Sequence, residues 1–123
     1  MVDIAIVEAD AYTQDKIRNL IKKQRSDCRV VSITGQELLG TEQPFDIVFW
    51  EHSLTDGKEL QPLQLRRIRE DAVFVVMTAE KVYNEADLTA PHFLQEPVEE
   101  DAFGEVFERA ILDAERYKIL GHI

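Results

Sequence analysis

Three glutamates, Glu8, Glu51 and Glu96, stand at or just beyond the ends of short apolar runs, and Thr78 stands at the end of another. Carboxylates gathered in one place offer oxygen ligands to a hard cation, and with no cation between them they repel one another. A threonine hydroxyl beside them adds a hydrogen-bond donor and acceptor. His52 follows Glu51 and offers a metal ligand or a phosphoryl acceptor, although a lone loop histidine is more often solvated. Cys28, the single cysteine, allows no intrachain disulfide and no cysteine cluster for a metal. At the start of an apolar run it is expected to be a small buried hydrophobe rather than a reactive thiol.

What would position these groups is an alternation of apolar runs and helical patterns. IAIV (4–7) precedes AYTQDKIRNLIKKQ, where Ile17, Leu20 and Ile21 keep helical spacing and the lysines take the far face. CRVVSI (28–33) predicts a second strand, GQELL (35–39) a short helix and DIVFW (46–50) a strand buried on both faces, with Trp50 in the core. LQLRRIRE predicts a helix with Pro62 in its first turn, and AVFVVM (72–77) and HFL (92–94) predict two more strands. From Glu99 to Leu120 a long helix carries Phe103, Val106, Phe107, Ala110, Ile111 and Ala114 on one stripe, and Gly121 is expected to stop it. The expected fold is α/β: one doubly wound domain over 1–123, with a five-stranded parallel sheet covered by helices on both faces.

In such a sheet the functional crevice lies beyond the carboxyl ends of the strands. The positions to weigh are therefore Glu8, Ala9 and Asp10, then Glu51 and His52, Thr78 and Ala79, and Glu96 with Pro97. If Glu8, Glu51 and Glu96 end neighbouring strands, about 4.8 Å apart, their side chains converge and at least one carboxyl titrates high. No glycine-rich loop follows the first run, which argues against a nucleotide or flavin binder of flavodoxin type.

The 14 basic and 24 acidic side chains give a net charge of −10, so phosphate backbones and anionic lipid should be repelled. Direct nucleic-acid and membrane partners are not expected. Lys16, Lys22, Lys23 and Arg25 form a local basic face, read as a solvated surface or a docking patch. MVDIAIVEAD has no basic start and too short an apolar run for a leader or a span, so a cytoplasmic setting is expected.

IAIVEAD, DIVFWEHSLTDG, RRIREDAVFVVMTAE and HFLQEPVEEDAF, in this order, resemble the successive motifs of the response-regulator receiver domain, the CheY-like family, over nearly the whole chain. The resemblance implies two acidic residues after the first strand, a phosphorylatable aspartate after the third, a hydroxyl after the fourth and a Lys-Pro after the fifth. Glu8 takes the first acidic position and Ala9 the second. Glu51 takes the acceptor position, Thr78 the hydroxyl position, and Glu96 the lysine position before Pro97. Phe93 takes the aromatic switch position, and Leu54-Thr55 replaces Leu-Pro. Against the family pattern, the segment after Thr78 predicts a shortened fourth helix and the last helix is extended.

These departures imply a pseudo-receiver that has lost its phospho-acceptor aspartate and its lysine. Ala9 removes a magnesium ligand and Glu96 reverses the charge that should grip the phosphoryl group, so no catalytic residue, no cofactor and at most weak Mg2+ are expected. The extra methylene of Glu51 moves its carboxylate by more than about 1 Å, a displacement that can slow a reaction roughly a hundredfold. Glu51 is then either a phosphomimic reaching Thr78 or a tolerated relic of an abandoned pocket. The expected role is a phosphorylation-independent interaction module, with a signalling protein, an output domain of a longer chain or a second copy as partner. The alternatives are a receiver held active by Glu51 and a receiver with unusual phosphotransfer.

Overall fold

The computed structural model describes residues 2–51, 72–79 and 92–120. In chain order these form β1 (Asp3–Val7), α1 (Ala11–Gln24), β2 (Arg29–Ser32), α2 (Gly35–Gly40), β3 (Ile47–Glu51), β4 (Val73–Thr78), β5 (His92–Gln95) and α3 (Glu100–Leu120). The expected helix around LQLRRIRE, the shortened fourth helix, His52, Leu54-Thr55 and Gly121 lie outside the described residues.

All five strands are parallel, in the order β2-β1-β3-β4-β5. The sheet alternates its side chains between two apolar layers, as a period of two requires. Ile4, Ile6, Phe49, Val75 and Met77 face α1 and α3, where Ile17, Ile21, Phe103 and Phe107 meet them. The Phe49 and Phe103 rings stack with centroids 5.7 Å apart. Ala5, Val48, Trp50 and Phe74 face the other way, against Leu38 of α2. Strands β3 and β4 are therefore apolar without interruption, because both of their faces are covered.

Each short-range signal has a physical partner. Asp10 caps α1 by accepting from the Thr13 backbone N–H at 3.1 Å and from its hydroxyl at 2.7 Å. Thr34 and Glu37 form a reciprocal capping box that starts α2. Gly35 packs under Trp50, where a Cβ would stand 2.9 Å from the indole edge, so glycine here allows a close approach. Trp50 is buried, as its place in an apolar strand predicts.

At the amino edge of the sheet, charges are matched. Asp46 accepts from the Asp3 backbone N–H at 2.8 Å and meets Lys118 of α3 at 3.2 Å. Asp3 in turn pairs with Arg29 of β2 at 2.8 Å. The strand ends differ slightly from expectation: Glu51 and Thr78 are the last residues of β3 and β4 rather than the first residues after them, because the ladder pairs Glu51 with Met77 and Thr78 with Gln95.

Candidate functional site

The register places the site. Val7 pairs with Trp50, so Glu8, the residue that follows β1, comes out beside Glu51 at the end of β3. Thr78 ends β4 with no solvent exposure, and Glu96 follows the end of β5. The Thr78 carbonyl accepts from the Glu96 backbone N–H at 2.7 Å and from the Gln95 side-chain amide at 3.1 Å, which fixes the turn beyond β5 over the end of β4. The Glu96–Pro97 peptide is cis.

Carboxylate oxygens of Glu8, Glu51 and Glu96 lie within 4.8 Å of one another, all three side chains half-buried. One part of the sequence-based picture needs correction: the three do not end three neighbouring strands. β4 lies between β3 and β5, two strand spacings of about 4.8 Å. Glu96 reaches its fellows because it sits beyond the strand, where its long side chain can lean back over the sheet edge.

The surrounding groups settle how charge is distributed. Glu8 Oε1 accepts from the Asp10 backbone N–H at 3.0 Å, and the Gln14 side-chain amide donates to the Glu8 carbonyl. Asp10 is engaged by α1, and the two Thr13 hydrogen bonds hold its carboxyl below the usual carboxylate range. Ala9 is exposed and has no side-chain ligand to offer. Glu96 is the opposite case. Its Oε1 is shielded from solvent and receives no hydrogen bond among the described residues. Burial first, then the charges of Glu8 and Asp10, push its carboxyl above the ordinary value, while Lys16 of α1 pulls the other way.

This arrangement can hold a proton or a divalent cation between carboxylates. Glu8, Glu51 and Glu96 are the described residues that fit oxygen coordination of a hard cation. Magnesium usually takes one or two carboxylates and keeps several waters. For phosphoryl transfer the same site is adverse, since it adds negative charge where positive charge must stabilise the transferring oxygens.

Of the other candidates, Phe93 is half-buried on β5 opposite Val76, and Pro97 is exposed. Cys28 is buried just before β2, and burial pushes its thiol up, which makes it a poor nucleophile. Lys22 and Lys23 are not simply solvated: Lys22 donates to the Cys28 carbonyl, and Lys23 meets Glu100 of α3 at 2.6 Å. Sequence reasoning missed His92. It is 6% exposed, and its Nε2 lies 2.7 Å from Asp113 Oδ2, tying β5 to α3. Nothing local in the sequence marks that pair.

No protein-family model matches the chain, and no curated protein matches it. Solved structures do. A protein assigned to pilus assembly, cpaE, from Burkholderia thailandensis superposes with a TM-score of 0.73 at 21% identity, over 90% of this chain and 98% of that one. A response regulator from Thermotoga maritima gives 0.71 at 20% identity over the same shares. The signal receiver domain of a DNA-binding response regulator, merR, from Colwellia psychrerythraea gives 0.72 at 13%, also over 90% and 98%. At these identities the likeness shows the fold, a CheY-like, flavodoxin-type parallel sheet.

Proposed function

We propose that this chain is a receiver-like interaction module of two-component-type signalling whose strand-end pocket has left phosphotransfer. The observation that carries the reading is the convergence of Glu8, Glu51 and Glu96, with Glu96 in the place where the receiver resemblance puts a lysine. Replacing a cation by an anion at about 4 Å changes a pairwise attraction of roughly 4 kcal/mol into a repulsion of similar size at an effective dielectric near 20. Asp10 does not compensate for Ala9, because its carboxylate caps α1. The output is then a contact with a signalling protein or with an output domain in a longer chain, made through the folded surface rather than through a phosphorylated state. No catalytic residue and no resident cofactor are assigned.

The test is incubation with a small-molecule phosphodonor and magnesium, followed by intact mass. The expected result is no added phosphoryl group on the natural sequence. The triple variant Ala9→Asp, Glu51→Asp, Glu96→Lys restores the acceptor, the second acidic ligand and the cation, and should acquire the adduct. Labelling of the natural sequence would overturn the reading.

A further inference from the structure

The outward face of α3 carries a pattern that neither the core nor the carboxylate site uses. Phe103, Phe107, Ala110 and Ala114 bury the inner stripe of this helix. On the opposite side Leu112 and Ile119 are 55% and 65% exposed. Seven residues apart, they lie within about 20° of each other around the helix axis. At about 100° per residue, the exposed Glu108 and Glu115 fall 40–60° to one side of this stripe, and the exposed Arg109 and Arg116 fall equally far to the other. Glu105, seven residues before Leu112, lies in line with the stripe and ends its apolar character, and from 108 to 116 one edge of the stripe is acidic and the other basic, level for level.

We propose that this face docks a second copy of the same chain, with the two α3 helices side by side and parallel. A two-fold axis along the helices turns the acidic edge of one copy onto the basic edge of the other. Glu108 then meets the second copy's arginine at 109, Glu115 meets the one at 116, and Leu112 and Ile119 each meet their own equivalents. The antiparallel alternative about Leu112 sets Glu108 against a second Glu115 and Arg109 against a second Arg116. Like charges therefore exclude that orientation while opposite charges favour the parallel one. The ion pairs these side chains make within one copy are long: Arg109 to Glu105 at 3.9 Å, Arg116 to Asp113 at 4.0 Å and Arg25 to Glu115 at 4.0 Å. Exposed pairs of that length contribute little, so they can exchange partners on docking. One helix pair buries less than the roughly 1,200 Å² of a stable complex, so the dimer is reversible and depends on concentration. This inference does not depend on the state of the carboxylate pocket.

Sedimentation of the full chain from micromolar to millimolar concentration, at physiological ionic strength to screen the −10 charge of each copy, should show a monomer–dimer equilibrium. Leu112→Asp should weaken it at least about tenfold. Arg109→Glu with Arg116→Glu should weaken it as well, and adding Glu108→Arg with Glu115→Arg should restore it, since the edges are then exchanged. Far-ultraviolet circular dichroism confirms that each variant is folded. Orientation is read from Ile119→Cys with oxidised glutathione: parallel helices should give a disulfide-linked dimer. Antiparallel helices centred on Leu112 would hold the two positions about 21 Å apart, out of reach. A monomer at every concentration, a dimer indifferent to Leu112→Asp, failure of the exchanged edges to restore pairing, or no linked dimer from Ile119→Cys would each overturn the proposal.

Discussion

The two edges of the sheet handle the same chemical problem in opposite ways. At the amino edge, Asp3 and Asp46 each have a cation, Arg29 at 2.8 Å and Lys118 at 3.2 Å, and Asp46 also caps the Asp3 backbone. At the carboxyl edge, Glu8, Glu51 and Glu96 share a space of 4.8 Å, and Lys16 is the cation that opposes the rise in the Glu96 pKa. At the amino edge each carboxylate meets a cation, whereas at the carboxyl edge Glu96 lies close to two further glutamates, and its carboxyl is pushed above the ordinary value. The amino edge is arranged for stability. The carboxyl edge instead gathers three glutamates, and the layers that hold the sheet together do not depend on the chemistry proposed to have lapsed there.

If the matched edge is arranged for stability, breaking it should give the largest effect. Asp46→Ala removes the acceptor of the Asp3 N–H and the partner of Lys118, and should cost about 2 kcal/mol in urea unfolding. Arg29→Ala tests the outer part of the same edge. Its side chain is 62% exposed, so the loss should be below about 1 kcal/mol. An equal loss from both would mean that the Asp46 cap has no special weight.

The carboxyl edge should respond with the other sign. Glu51→Gln removes one of three converging carboxylates and should raise the melting temperature by roughly 2 °C while leaving partner binding unchanged. A loss of binding with the fold intact would instead support Glu51 as a phosphomimic. The smallest effect expected is that of magnesium. Asp10 caps α1 and Ala9 offers no ligand, so millimolar Mg2+ should act near or below its Kd, where a ligand stabilises by only about 0.4 kcal/mol. A melting temperature that saturates at micromolar metal would show a built cation site.

Much of this contrast was legible in the sequence, but unevenly. Short apolar runs rich in β-branched and aromatic residues give all five described strands to within about two residues, because runs of so few residues are too short for a core helix. The membership of Glu8, Glu51, Thr78 and Glu96 in one edge follows from strand ends alone. The interleaving of β4 between β3 and β5 does not follow from treating the three glutamates as neighbours, and that is where the sequence picture needed amendment. The role of Asp10 had a readable signal, an aspartate directly before a helical run. The pairs Asp3–Arg29, Asp46–Lys118 and His92–Asp113 had none, since each joins elements distant in sequence through side chains whose types are ordinary on any surface.

Glu96 is half-buried beside the carboxylates of Glu8 and Glu51, and burial with the charges of Glu8 and Asp10 pushes its carboxyl up. A carboxyl whose folded pKa is raised binds more protons when folded, so its contribution is fully present below the ordinary value of 4.5 and is lost as pH climbs through the raised value. Thermal unfolding of the natural sequence and of Glu96→Lys, between about pH 5 and 8, therefore tests the claim directly. The natural sequence should lose stability relative to the variant as pH rises, and the variant should melt higher, by about 3 °C or more, at the alkaline end. Melting temperatures that coincide across the range would contradict a shared carboxylate pocket.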